Sequence, residues 1–534
     1  MERIRKAEWG VAIALTGVVL FLLVIRTLHA GGLWRDECGA LQVARMASYS
    51  EFRKYCSFES FPPLFPATVR AYTDLVGTSN GALRGFGFLV GASLVAVLWF
   101  NARQLCGKPP LVALALLGFN GTFLTYGTSI RGYGIGSVCI LLAFGLIEKA
   151  RRVTTPPWIA AACCASLASV HYLLFNIVLL SAIGFSVLAV SLMRRERRPA
   201  LAVLGIGVVC AASMAPVVGM FSGRNQWNML LQSDVGIASL GSELLSTLGN
   251  NSPLFIGLWV VLFVAIAIGA ARFFRRSQKE TIDSQRSEFY LALLVAIFSL
   301  IGYGVFMTFL SFAPRVWYFL ALVCIVAASI ELMADSLSQV VWFCWLRVLL
   351  VLAATVALPL SLWPAVTKRQ TNMDLVAEKL EQSATPDDLI LVTPWYHGVS
   401  FDWYYHGKAA WVTLPALADH RIHRYDLMKE KIMEPHPIDD VLESAGKTLK
   451  SGNRVWIVGG VYFLPPGKAP LVLPPAPNSP YGWAEPAYSL AWSQQAGAFL
   501  QRRATHAEIV KVSTGISVNE LESAPLWELD GWRE

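Results

Sequence analysis

Asp36 and Glu37 stand side by side in "GGLWRDECGALQVAR" (31–45), just beyond the first long apolar run of the chain. Two carboxylates at a water-facing membrane edge can supply a general base for an acceptor hydroxyl, the second group orienting it or helping to hold a divalent cation. The plain alternative is a pair of solvated loop charges. Further on, "TYGTSIRGYG" (125–134) places Arg131 at the mouth of a span, with Tyr133 two residues later. An arginine there either snorkels or grips a phosphate through two parallel hydrogen bonds. Arg315, in "SFAPRVWYF", occupies the equivalent place between two later spans. Two lone arginines on a face otherwise depleted of basic residues point to an anionic ligand.

Other candidates carry weaker signals. His171 and Tyr172 close one span and read as structural hydrogen-bonding residues or as contacts for a phosphate or sugar hydroxyl. Glu59 lies just before the Pro62-Pro63 pair. Arg224 and Trp227 fall in the outer loop 222–252, where amides and an indole suit carbohydrate, although such a loop is as often merely polar. His397 sits in "WYHGVSFDWYYHG", either a sugar-stacking rim or the aromatic core of a small domain. No phosphate-binding glycine loop, H-E-x-x-H or Cys/His zinc spacing is present.

Membrane spans must position these groups. About eleven windows are long and apolar enough to cross the hydrocarbon: roughly 9–29, 85–105, 109–126, 132–149, 157–172, 174–193, 200–221, 253–273, 289–310, 316–334 and 346–366. Basic residues recur in alternate loops: Arg3, Arg5 and Lys6, then Arg103 and Lys108, then Lys149, Arg151 and Arg152, then "RRERR" (194–198), then Arg272, Arg275 and Arg276. The bias puts those loops and the N-terminus in the cytoplasm. An odd number of crossings then places the first long loop and the C-terminal region outside.

The first outer loop, 30–84, contains two helical patterns. "PPLFPATVRAYTDLV" opens on prolines and sets Phe65, Val69, Tyr72 and Val76 on one stripe, with Arg70 and Asp74 paired off it. The stretch after Trp34 has helical spacing too, and both read as helices lying at the membrane interface. Beyond about residue 367 the apolar character is lost. "DDLILVTP" and "NRVWIVGG" read as strands, "MDLVAEKLEQ" and "IDDVLESAGKTLK" as helices, which together make a small α/β domain. "FLPPGKAPLVLPPAPNSPYG" is a Pro-rich irregular insertion.

Bulk composition agrees. Of 534 residues 55% are hydrophobic and 15% charged, too few charges for a soluble surface of this size. The net charge of +8 sits in short clusters between apolar runs, which argues against nucleic-acid binding. Most of the nine cysteines lie inside apolar runs. Cys38 and Cys56 share the first outer loop and can pair if it faces an oxidising compartment.

The ordered series "WRDE", "ESFPPLFPATVRAY", "LRGFGFLVGASLVAVLWFNARQL", "TYGTSIRGYGIGSVCILLAF", "VHYLLF" and "PRVWYF" resembles the GT-C superfamily of polytopic glycosyltransferases. It is most similar to the branch holding the protein O-mannosyltransferases and the lipid A aminoarabinose transferases. That resemblance implies a membrane catalytic domain over 1–366 and an extracytoplasmic α/β domain over 367–534, in a bacterial inner membrane. It implies an inverting transfer of a sugar from a polyprenyl-phosphate carrier to a hydroxyl of a glycan, lipid or protein. Asp36 would be the base with Glu37 in support, and Arg131 and Arg315, with Tyr133, would bind the donor phosphate. Phe61 stands where relatives place a histidine before the prolines, and the loop before Arg131 lacks an acid common in relatives, so the resemblance leaves open whether a divalent cation is bound. Two rival classes remain: an oligosaccharide ligase or polymerase using a pyrophosphate-linked donor, and a transporter or lipid flippase, which would place charges at mid-span.

Overall fold

A computed structural model describes the chain apart from residues 1, 60, 219–234, 250–251, 276–279, 311–312, 479–483 and 513–514 and the side chains of 280–284. Its described residues fall into two compact units. The first comprises Met1–Leu28, Phe61–Gly219 and Asp234–Thr367, the second His29–Ser60 and Lys368–Glu534.

Unit 1 is a helical membrane body. Among the described residues nine helices are long and apolar enough to cross a bilayer, from Glu2–His29 to Val341–Thr367. The window at 157–172 folds as one helix, Pro156–Tyr172, whose 17 residues reach about 25 Å, close to the hydrocarbon thickness. The window at 109–126 folds as two pieces, Val112–Gly118 and a π-helical turn at Phe123–Gly127. Its break falls at "FNGT", whose Asn120 and Thr122 are buried, as broken backbone at membrane depth must be. Asn120 refills the gap by accepting from the Phe123 N–H at 2.7 Å and donating to the Thr247 carbonyl at 2.7 Å. The start of this segment is held by Glu331, which accepts from the backbone N–H groups of Leu111, Val112 and Ala113 at 3.0, 2.6 and 2.8 Å. The sequence predicts about eleven spans; nine helices among the described residues meet the length and composition of a span, and the windows at 109–126 and 157–172 are the two that do not.

Ion pairs show which ends of these helices lie together. Lys108 meets Asp335, and Glu8 meets Arg347. Glu148 is clamped by Arg151 and Arg152, which also reach Glu196 and Glu288. These belong to the loops that the basic-residue bias groups on one side. At the other end of unit 1, Thr68 meets Tyr172 at 2.9 Å and Thr247 donates to the Val316 carbonyl at 2.9 Å. The outer-loop helix Leu64–Val76 belongs to this end. It buries Phe65, Val69 and Thr73 while Leu75 and Val76 stay exposed, so its buried face ends at Thr73, before Val76.

Unit 2 is built on a five-stranded sheet, β1 (Leu389–Thr393), β2 (Ala410–Thr413), β3 (Val455–Gly459), β4 (His506–Val510) and β5 (Leu526–Asp530), in the order β2-β1-β3-β5-β4. The first three are parallel; β5 runs antiparallel to β3, and β4 runs antiparallel to β5. β1 and β3 are buried on both faces, as a run of apolar residues without alternation requires. Ile390, Val392, Trp456 and Val458 face the helix Met373–Ser383 through Val376 and Leu380. Val455 and Ile457 meet Leu449 of Asp439–Lys450 and Leu500 of Glu485–Arg503 on the opposite face. The helix Arg35–Ala44 also belongs to this unit: Cys38, Leu41, Val43 and Ala44 are buried, and its neighbour is the helix Gly398–Tyr404. Cys38 and Cys56 are both buried thiols, and no disulfide joins them.

Candidate active site

Asp36 sits in the first turn of Arg35–Ala44, where a carboxylate complements the helix dipole. Three contacts aim that turn. Glu37, fully buried, folds back to accept the Trp34 N–H at 3.2 Å, closing the turn from within. Glu522 accepts the Arg35 N–H at 2.8 Å and its guanidinium at 3.4 Å. The Tyr404 hydroxyl accepts the Leu33 N–H at 2.6 Å. The two neighbouring acids therefore have separate surroundings: Glu37 is enclosed, whereas Asp36 keeps 22% of its side chain exposed.

The turn lies beside the carboxyl end of β1. The chain leaves β1 through Trp395, Tyr396 and His397, and the Arg35 guanidinium rests 4.7 Å from the Tyr396 ring centroid. β1 runs to β2 on one side and pairs with β3 on the other, so the strand order reverses here. That is where open α/β sheets form ligand crevices. His423 faces the same carboxylate: its Nε2 is 3.8 Å from Asp36 Oδ1, and its ring stacks on Tyr425 at 5.9 Å and stands edge-on to Trp395 at 6.1 Å.

Burial sets the charges around this turn. It pushes Glu522 up to about 7, with Arg35 pulling the other way. His397 is buried beside Thr393 and Gly459, and burial, reinforced by the Arg35 charge, lowers it to about 3. His397 is therefore a neutral interior group and not part of an exposed rim. Glu59 is also buried, its Oε1 3.5 Å from where a Cβ on Gly39 would stand.

The cationic candidates belong to unit 1. The Arg131 guanidinium lies 4.7 Å from the Phe61 ring centroid, and Phe61 packs edge-on to Tyr133 at 4.9 Å. Tyr133 continues to Tyr318 at 5.9 Å, in the short 3-10 turn Val316–Phe319 that Arg315 precedes. One aromatic row, Phe61–Tyr133–Tyr318, thus joins the two arginine-bearing segments. Arg131 is mostly buried; Arg315 is exposed, with no ion pair among the described residues. Tyr172 belongs to the same neighbourhood, since a Cβ on Gly132 would lie 2.4 Å from the Phe61 ring and 2.7 Å from the Tyr172 carbonyl. His171 turns away to Ser213 at 3.0 Å, a helix-to-helix tie. Arg224 and Trp227 lie outside the described residues.

Among the described residues no three His, Cys, Asp or Glu side chains gather as a divalent cation would need, and Asp36 and Glu37 do not converge.

Among solved structures the chain is similar to ArnT from Cupriavidus metallidurans in the apo state, with a TM-score of 0.52 and 14% identity over 84% of this chain and 93% of that one. ArnT bound to undecaprenyl phosphate matches at a TM-score of 0.50 and 13% identity over the same shares. The fold is GT-C. No family model and no curated protein matches the chain. The sequence reading singles out the first-loop acids, both outer arginines and Tyr133 as candidates. It does not single out Arg35, His423 and Glu522, which the structure places around Asp36. These lie in stretches dense with ordinary charges, and their pairing across hundreds of residues leaves no local spacing to read.

Proposed function

We propose that the chain is an integral-membrane glycosyltransferase, moving a sugar from a polyprenyl-phosphate carrier to a hydroxyl acceptor on the extracytoplasmic face. The observation that carries the reading is the GT-C fold, shared over most of its length with a protein solved with undecaprenyl phosphate. The residues give it chemistry. Asp36 takes the acceptor proton as the hydroxyl attacks the anomeric carbon, which inverts that centre. Cleavage of the sugar–phosphate bond leaves negative charge on the carrier phosphate. Arg131, seated against Phe61, and Arg315 favour that charge more than the ground state, and Tyr133 joins their segments in one aromatic row. Glu37 acts on Asp36 by closing its turn. Residues 1–366 supply the donor end, and 367–534 form an extracytoplasmic domain in a bacterial inner membrane whose cytoplasmic side carries the N-terminus.

The test uses the purified full chain and a panel of undecaprenyl-phosphate-linked sugars, with release of undecaprenyl phosphate followed by mass spectrometry. Asp36→Asn should lower release by about 100-fold or more while undecaprenyl phosphate still binds. Full activity in Asp36→Asn removes the base assignment. Turnover only of pyrophosphate-linked oligosaccharides would establish a ligase instead, and movement of lipid across a vesicle without bond cleavage a flippase.

A further inference from the structure

We infer that His423 is a positioning residue for Asp36: the imidazole at the carboxyl end of the unit 2 sheet fixes the direction in which that carboxylate meets the acceptor hydroxyl. The inference rests on the transfer reading above. Nε2 of His423 stands 3.8 Å from Asp36 Oδ1, within ion-pair range when the imidazole is protonated. The ring is not loose. Tyr425 lies nearly parallel to it, at 19°, and Trp395 nearly perpendicular, at 85°. Its side chain keeps 14% exposure, against 22% for Asp36, so solvent screens the pair only partly.

The Arg35 guanidinium is also within reach of Asp36, with Nε to Oδ1 at 3.9 Å, and it is engaged by Glu522 and the Leu521 carbonyl and rests on Tyr396. His423 approaches the same Oδ1 from a different chain segment. Trp395, beside the His423 ring, is anchored by its indole N–H on Glu485 at 3.1 Å, so the aromatic support is itself fixed.

Three variants test this in the reconstituted full chain. His423→Phe keeps the ring and its stacking but removes the nitrogen facing Asp36. It should lower kcat by about 10- to 100-fold with the donor KM and thermal midpoint unchanged. His423→Gln, which restores a donor, should recover part of that loss. In an Asp36→Asn background His423→Phe should cost nothing further. An equal fractional loss in that background overturns the inference, as does an unchanged kcat. A loss accompanied by a fallen midpoint that Gln does not rescue assigns His423 to folding alone. A second readout needs no donor: modification of Asp36 by a water-soluble carbodiimide, quantified by mass spectrometry, should change several-fold in His423→Phe. Changed labelling with no sugar transfer by any form would retain the contact and reject the transfer reading. Unchanged labelling with active wild type would do the reverse.

Discussion

The Glu522 carboxylate accepts the backbone N–H of Arg35 at 2.8 Å, across 487 positions of chain. It caps from outside the helix whose first turn carries Asp36. Its oxygens are further engaged by Thr371 at 3.2 Å and by the Arg35 guanidinium at 3.4 Å. Burial nevertheless holds its folded value near 7, against an ordinary 4.5. A carboxyl raised in this way contributes stability that is complete below its unfolded value and is lost as pH rises through its folded value. The wild-type thermal midpoint should therefore fall between pH 5 and pH 8. Glu522→Gln, which resembles the protonated acid, should match wild type near pH 5 and exceed it at pH 8. A Gln variant less stable than wild type at pH 8 contradicts this account.

The same contact marks what a sequence can and cannot disclose. β1 and β3 are legible because Leu389–Thr393 and Val455–Gly459 are apolar runs between turn residues. β4 is not, because His506–Val510 is largely exposed at the sheet edge and carries no burial pattern. Spans are legible because hydrocarbon imposes length and polarity along contiguous residues. The break at Phe119–Thr122 inside one window is not, since the compensating contacts come from Thr247 and lie far away in sequence. The first outer loop reads as an appendage of the membrane part. Its helix Arg35–Ala44 instead shares a unit with Gly398–Tyr404, a pairing that only tertiary contacts specify. His423 went unread for that reason, while Asp36, Arg131 and Arg315 stood out by their place relative to the spans.

Arg131 offers a direct binding test. Its guanidinium lies over Phe61, so replacing the arginine alters both charge and stacking. Arg131→Lys keeps the charge but loses the planar fork, and should weaken undecaprenyl phosphate binding by about tenfold; Arg131→Glu should weaken it further. Phe61→Leu, which leaves the charge in place, should have a smaller effect. Titration of the detergent-solubilised chain with undecaprenyl phosphate measures all three. Equal affinity in Arg131→Glu would take the phosphate role from this residue.

Glu331 should matter for folding and not for transfer. One of its oxygens serves three backbone N–H groups at the start of Val112–Gly118, in a buried place. Glu331→Ala strands those donors and should cost about 2–4 kcal/mol, seen as a lower thermal midpoint and less monodisperse protein. Glu331→Gln retains one acceptor oxygen and should fall between. Undiminished stability in the alanine variant would mean that the short helix is held by packing alone.

Gly134 tests whether the turn beneath Arg131 is locked by backbone contact. A Cβ there would stand 1.7 Å from the Gly127 carbonyl oxygen and 2.9 Å from Val90 Cγ1. The first obstacle is main chain within the π-helical turn Phe123–Gly127, so it cannot swing aside as a side-chain tip would. Gly134→Ala must push apart the helix Gly132–Val153 and that turn, at about 1–3 kcal/mol for overpacking of this kind. Gly10, with nothing within 4 Å of its would-be Cβ, supplies the matched control, and Gly10→Ala should leave yield and midpoint unchanged. Because Arg131 and Tyr133 lie just before this position, Gly134→Ala should also weaken undecaprenyl phosphate binding in whatever fraction remains folded. A variant as stable as the control and binding normally would show that this turn yields, and that the arginine does not depend on it for its aim.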